Sequence, residues 1–350
     1  MIVTYLRSSS YNAWDMCPLQ YFGEYVLGIR GKSGLKADKG TIVHKVMEII
    51  AWIKLSQQNG ETQYVDDIVG DIDVLDYSLD EIVDKVYDYY SGLCSHHDWK
   101  PRDLRDCRLW VHKGLTDHNA AFDPRNQFII QPEQHFDIVI DKPWAAYKYN
   151  TADGVLEGNL AIKGTIDLIT KVNDDTLEVI DYKTGRRLDW ASGQEKTLEK
   201  LYHDPQLKIY HYALSQIYPE YAHIIMTINF INDGGAFSVC FDKDDLPGTE
   251  ELIRRRFTEI NKSKRPPQKK SWKCSKLCQF GKKTFADETR PGVLPILEYR
   301  DGQTCAKGDV MTMCEQLKHD IDLKGLDAVV REYTVPGHSA GKYKAPGSVE

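Results

Sequence analysis

Residues 164–185, GTIDLITKVNDDTLEVIDYKTG, constrain the fold more than any other stretch of the chain. Two short apolar runs, around Thr165–Lys171 and Leu177–Lys183, flank the turn Val172-Asn173-Asp174-Asp175. The Asn and Asp content of that turn suits a tight hairpin. Each run carries one carboxylate in apolar surroundings, Asp167 in the first and Asp181 in the second. A buried carboxylate is costly unless it is paired, hydrogen-bonded or bound to a cation. Side chains alternate faces along a strand, so Asp181 and Lys183 share one face and Tyr182 takes the other. Two carboxylates, an ammonium and the Tyr182 carbonyl thus converge on a small volume, and hard oxygen ligands of this kind suit Mg²⁺ or Mn²⁺.

The chain has 350 residues and a net charge of −7, enough to bury a sizeable core as one elaborated domain or two. Charge is unevenly spread. Residues 61–90 hold ten acidic groups and one basic, whereas residues 254–283 hold twelve basic groups and one acidic. The basic block interleaves Phe257, Trp272 and Phe280, the mixture expected of a surface that grips phosphates and stacks bases. Met1–Ser10 has no apolar signal core, and no run approaches transmembrane length. The eight cysteines are irregularly placed, unlike a secreted disulfide framework, so a cytoplasmic, reducing location and no membrane partner are expected.

In chain order, Ser8, Ser9 and Ser10 offer an N-cap to a short helix that breaks at Cys17-Pro18. Gly40–Gln57 has helical spacing, with Val43, Val46, Met47, Ile50 and Ile53 on one stripe and His44 beside it. Residues 60–125 look like an acidic, helical insertion in which Cys94 and Cys107 are ordinary thiols and His96-His97 has no convincing partner, hence no metal role. Strands are expected at Phe128–Ile130, Phe136–Ile140, Ile224–Phe230 and Ala236–Phe241, with Cys240 packed between the last two. Asp204-Pro205 starts a helix on which Gln206 and Tyr210 share a face. Cys274 and Cys278 lie four apart with Trp272 and Phe280 on either side, Cys305 and Cys314 follow, and residues 336–350 read as a flexible tail.

The string Asp167-(x13)-Asp181-x-Lys183 resembles the PD-(D/E)XK nuclease core, and Tyr182-Lys183-Thr184-Gly185 resembles its RecB-type branch, including CRISPR-associated and AddB-like iron–sulfur exonucleases. Gly40-Thr41-Ile42-Val43-His44 matches that branch's Gly-x-x-x-His motif, Glu133 a carboxylate position ahead of the core, and Gln206-x-x-x-Tyr210 a motif over the active site. Cys17-Pro18 and Trp272-x-Cys274-x-x-x-Cys278-x-Phe280 are similar to its cysteine segments, although residues 281–285, Gly-Lys-Lys-Thr-Phe, stand where many relatives have a third cysteine. The likeness covers about residues 6–50, 130–240 and 265–320.

The resemblance implies an α/β, restriction-endonuclease-like core: a mixed central sheet flanked by helices, with a helical insertion and a C-terminal cysteine-cluster segment. It implies one nuclease domain over residues 1–335, with the core at 128–245 and a cysteine segment at 265–325 closing onto the N-terminal helix. Metal-dependent DNA hydrolysis follows, preferentially exonucleolytic at ends or single strands, in recombination, repair or other DNA processing, with recombination or helicase partners. His44, Asp167, Asp181 and the Tyr182 carbonyl would hold Mg²⁺ or Mn²⁺, Lys183 would orient the attacking water, and Gln206 and Tyr210 would position the scissile strand. Lys269, Lys270 and Trp272 would contact DNA. Cys17, Cys274, Cys278 and a fourth thiol, Cys314 in preference to Cys305, would hold a [4Fe–4S] cluster or a structural Zn²⁺. A structure-specific endonuclease and a DNA-binding adaptor without catalysis are the alternatives. The compact, helicase-free arrangement is compatible with a virus-encoded member.

Overall fold

The computed structural model describes residues 1–31, 33–151, 154–188, 193–276, 278–281, 312–335 and 338. Cys305, most of the 336–350 tail and residues 282–311 of the cysteine segment lie outside the described residues. The chain forms two compact units, one of Ser33–Phe136 with Gly164–Thr249, the other of Met1–Lys32 with Asp137–Lys163 and Glu250–Glu350.

In the first of these units the expected hairpin is present. Strand Ala161–Lys171 pairs antiparallel with Thr176–Lys183, in a register that sets Leu168 opposite Ile180 and Lys171 opposite Leu177. The second strand then pairs in parallel with His223–Phe230, from Thr176 opposite His223 to Lys183 opposite Phe230. A parallel neighbour needs a crossover, which here carries the helix Pro205–Ile217. Asp204 caps that helix, its carboxylate accepting the Gln206 N–H at 2.9 Å. Strand Gly235–Asp242 closes the far side as an antiparallel partner of His223–Phe230, and Ile129–Val139 pairs with Ala161–Lys171. The result is a central mixed sheet flanked by helices.

The long helix Leu35–Gln58 supplies most of this core. Ile42, Val43, Val46, Ile49, Ile50 and Ile53 are buried against Leu168, Ile180 and Tyr182 of the hairpin. Each such side chain removed from water contributes roughly 1.5–3 kcal/mol. The helices Leu79–Leu93 and Pro101–Thr116 add Ile82, Val83 and Val86, and Cys107, Val111 and Leu115, to the same cluster. The insertion is not wholly helical as expected, because Gln63–Asp66 and Gly70–Asp73 form a small antiparallel hairpin. Its acidic character finds a use there, where Lys45 of the long helix reaches Asp66 at 3.0 Å. The two strands expected around residues 128–140 are one, Ile129–Val139, interrupted at Glu133 by a backbone φ of 45°. Cys240 is exposed rather than packed, because Val239 and Phe241 take the inward positions of its strand.

In the other unit Tyr5 and Leu6 pair in parallel with Ala161 and Ile162. Helix Ser8–Met16 follows, with Arg7 rather than a serine in the cap position, while the Ser10 hydroxyl accepts the Arg7 N–H at 2.9 Å. Arg256 is buried at 2% exposure, its guanidinium 3.9 Å from the Tyr11 ring and 2.5 Å from Asp15. Helices Met313–Lys324 and Leu326–Tyr333 close the unit, with the Tyr333 hydroxyl donating to the buried Asp320.

Two glycines of the first-named unit are set by close approach. A Cβ on Gly164 would stand 2.5 Å from the Phe136 ring, and one on Gly40 would stand 2.8 Å from Thr184 Oγ1. The second contact brings the long helix against the strand end that carries Lys183. Gly40→Val should therefore cost about 1–3 kcal/mol by overpacking. Denaturant unfolding of Gly40→Val, Thr184→Ala and the double variant should show coupling of roughly 0.5–3 kcal/mol. Additive effects would mean that this contact does not set the helix position.

Candidate active site

The antiparallel ladder of the hairpin stops at Leu168 and Ile180. The next outward N–H, that of Tyr182, is taken by the Asp167 carboxylate, 3.0 Å from Oδ2. His44 Nδ1 lies 3.1 Å from the same oxygen, so one carboxylate joins the long helix to both hairpin strands. Asp181 is 1% exposed. Its Oδ1 accepts from Lys183 Nζ at 2.9 Å and from Gln206 Nε2 at 3.1 Å. Its Oδ2 sits in ionic contact with Lys183 at 2.6 Å but accepts no hydrogen bond. Gln206 also donates to the Tyr210 hydroxyl at 3.0 Å, which in turn donates to the Thr165 carbonyl at 2.7 Å. Tyr182 alternates to the other face, buried among the core residues with its hydroxyl donating to the Phe122 carbonyl at 2.7 Å.

The two carboxylates are driven apart in acidity. Burial dominates at Asp181 and raises its pKa despite Lys183. Burial would also raise Asp167, but the charge and hydrogen bond of His44, then Lys183 and the Tyr182 N–H, outweigh it and hold Asp167 low. His44 is raised because Asp167 overcomes its desolvation. Burial works against the Lys183 ammonium, yet Asp181 and Asp167 hold its pKa above the usual lysine value. Lys183 is thus a fixed positive charge, its side chain still 34% exposed. Glu133, at its unusual backbone position, is pushed to about 7 by burial, then by Asp167 and Glu48. A buried carboxylate oxygen without a hydrogen bond, an ionised carboxylate, an imidazole and a half-buried glutamate form a donor set that fits Mg²⁺ or Mn²⁺.

The structure brings together His44, Asp167, Asp181, Tyr182, Lys183, Gln206 and Tyr210. Gln206 and Tyr210, expected to position the scissile strand, place polar atoms on Asp181 and on the hairpin backbone, and Tyr210 is 6% exposed. Glu48 joins the site one turn beyond His44, paired with Lys45 at 2.9 Å. Its charge was visible in sequence, its direction was not.

In the other unit Cys17, Cys274, Cys278 and Cys314 line one small cavity with Gln20, Gln268 and Phe280. Every sulfur there accepts an N–H: Cys17 from Lys269 N at 3.4 Å, Cys274 from Ser271 N at 3.4 Å, Cys314 from Gln268 Nε2 at 3.0 Å, and Cys278 from the amides of Phe280 and Gly281. Burial and the three other thiols push Cys314 up to about 12. Four sulfurs in one cavity, each facing donors, fit a thiolate-bound metal centre. The basic block divides. Arg256 and Lys273 are buried, and Arg254 and Arg265 pair with Glu251 and Asp322. Lys269, Lys270 and Trp272 stay exposed, with Lys269 Nζ 2.7 Å from the Asp15 carbonyl. His96-His97 is not partnerless as expected, since His97 Nε2 lies 2.7 Å from Asp38. No helix among the described residues is long and apolar enough to cross a membrane.

Compared with known proteins, residues 8–306 match the family model of the PD-(D/E)XK nuclease superfamily. No curated protein matches the sequence. Among solved structures, a crystal structure from Eubacterium rectale named "Putative exonuclease" aligns over 85% of this chain and 94% of its own, at 9% identity and a TM-score of 0.43.

Glu133 makes the metal-free site pH-sensitive. Its folded pKa, about 7, exceeds that of an unfolded glutamate, so between the two values the folded state binds more protons and stability falls as pH rises. Metal-free protein should therefore lose stability from about pH 4.5 to 7. Glu133→Gln should flatten that part of the profile in denaturant unfolding. An unchanged slope would show that Glu133 does not titrate there.

Proposed function

Because the chain belongs to the PD-(D/E)XK nuclease superfamily, we propose that it hydrolyses phosphodiester bonds of DNA at free ends or in single strands. The observation that carries this reading is the convergence on Asp181 of Lys183 and Gln206, beside the Asp167–His44 pair, from separate stretches of sequence. Asp167, Asp181, His44 and the Tyr182 carbonyl would hold Mg²⁺ or Mn²⁺, with Glu133 electrostatically linked to Asp167 and His44. A divalent cation there supplies Lewis-acid polarisation of the phosphodiester and acidifies water. Lys183, held charged by its two carboxylates, stabilises negative charge developing on the phosphate and orients the attacking water; it is the wrong protonation state for a base. Gln206 and Tyr210 are positioning residues that fix the Asp181 carboxylate. Lys269, Lys270 and Trp272 provide an exposed surface for phosphates and bases. The work fits DNA processing in recombination or repair, in the cytoplasm and with a helicase partner.

Asp181→Ala or Lys183→Ala should abolish cleavage of end-labelled DNA with Mn²⁺ while leaving folding and DNA binding largely intact. Gln206→Ala should lower metal affinity or rate by about 10–100-fold. Closed circular single strands should resist the wild-type protein. Cutting of circles makes it an endonuclease, no cutting of either substrate makes it an adaptor, and wild-type rates in Lys183→Ala remove Lys183 from catalysis.

The four thiols Cys17, Cys274, Cys278 and Cys314 would hold a [4Fe–4S] cluster, with structural Zn²⁺ as the alternative. Anaerobically purified protein should be brown with about four irons per chain. Cys314→Ala should lose the colour and Cys305→Ala should keep it. The reverse result assigns the fourth ligand to Cys305, and colourless protein with zinc in place of iron makes the group a zinc staple.

A further inference from the structure

Away from the carboxylate hairpin, a second set of metal-type donors gathers where the helix Leu79–Leu93 ends. The chain leaves that helix at Cys94 and turns at once, placing Cys94, His96 and His97 within four residues. Asp38 faces them from the first turn of the long helix Leu35–Gln58. Ligand atoms of Asp38, His96 and His97 all lie within 4.8 Å of one another. Cys94 stands beside this group, outside the set of mutually close ligand atoms but near enough for Asp38 to add to burial in raising its thiol pKa. Two imidazoles therefore meet on one carboxylate, with a thiol beside them.

The surroundings orient these groups as ligands are oriented. His96 Nε2 lies 3.2 Å from the Ser33 carbonyl, which can only accept, so Nε2 carries the proton and Nδ1 keeps its lone pair. Ser33 Oγ donates to Asp38 Oδ2 at 2.7 Å and holds that carboxylate in place. The Trp99 indole donates to the Cys94 carbonyl at 3.1 Å and packs edge-on to His97, 5.6 Å between ring centroids, which fixes the turn. A plain His97–Asp38 ion pair accounts for one imidazole. It makes no use of the second ring, which lies beside the first at 3.9 Å between centroids and is held by the Ser33 carbonyl with its Nδ1 lone pair left over.

We propose that Asp38, Cys94, His96 and His97 bind one Zn²⁺ ion. Thiolate and imidazole ligands select zinc over the Mg²⁺ or Mn²⁺ suited to the carboxylate hairpin. With Cys94 drawn in as the fourth ligand beside the three gathered donors, the site closes with no open position, which makes the ion structural. It ties the end of helix Leu79–Leu93 to the long helix six residues ahead of His44, about 9 Å along the axis. Binding sends the Cys94 proton to solvent, so zinc affinity increases with pH. None of this depends on the nuclease reading.

Zinc counted by mass spectrometry in full-length protein, after zinc loading and dialysis, tests the site. The four-cysteine group can also take zinc, so the difference between variants is the readout. His96→Ala/His97→Ala and Cys94→Ser should each hold one zinc fewer per chain than wild type, with unchanged far-UV circular dichroism. Loading with Co²⁺ should give a wild-type minus Cys94→Ser difference spectrum containing a thiolate-to-cobalt charge-transfer band. If the double-histidine variant fails to fold, Cys94→Ser decides alone. Equal zinc content and no cobalt difference band overturn the proposal.

Discussion

Taking the Asp181 carboxylate out of water is the constraint on which the unit of residues 33–136 and 164–249 depends. A desolvated carboxylate costs several kcal/mol unless cations and N–H groups surround it. Lys183 and Gln206 supply them, and each needs support of its own. Gln206 is placed by a helix whose first turn is capped by Asp204. Lys183 comes from the end of a strand that the long helix approaches closely only because residue 40 has no side chain. The compensation stays incomplete at Oδ2 of Asp181, which touches the Lys183 ammonium but accepts no hydrogen bond.

The partner carboxylate shows the same economy from the opposite side. Asp167 replaces a rung of the β-ladder, accepting the Tyr182 N–H that a strand carbonyl would otherwise take, and this fixes its direction towards His44. The site thus holds one carboxylate kept ionised and one inclined to take a proton, separated by 14 residues of sequence and one hairpin turn. Such a split is what lets a single cation change the charge state of the whole group.

Much of this was legible because it obeys short periodicities. The alternation of Asp181, Tyr182 and Lys183, the stripe that begins at Val43, and the Asp204-Pro205 helix start are local patterns, and they appear where expected. What was not legible depends on how distant segments meet. Glu133 stands out in sequence only through the family resemblance; its positive φ does not show there, and its neighbours Asp167 and Glu48 come from distant segments. Cys240 faces outward because its neighbours Val239 and Phe241 take the inward face of the strand. His96-His97 finds Asp38 some sixty residues earlier, a meeting no spacing rule contains. Arg256 counted as a surface charge in the basic block, yet Tyr11 and Asp15 bury it.

The donors that face the four thiols bear on how freely this protein can vary. Lys269, Ser271, Phe280 and Gly281 serve the sulfurs through main-chain N–H groups, so their side chains are largely released from that duty. Related chains can therefore change residues 269 and 271 widely and keep the same electrostatic setting for the sulfurs, proline excepted, since it has no N–H to give. Gly281 has no such latitude, because any side chain there would run into the Cys274 carbonyl. A family compared over this loop would look variable in sequence and invariant in what it does.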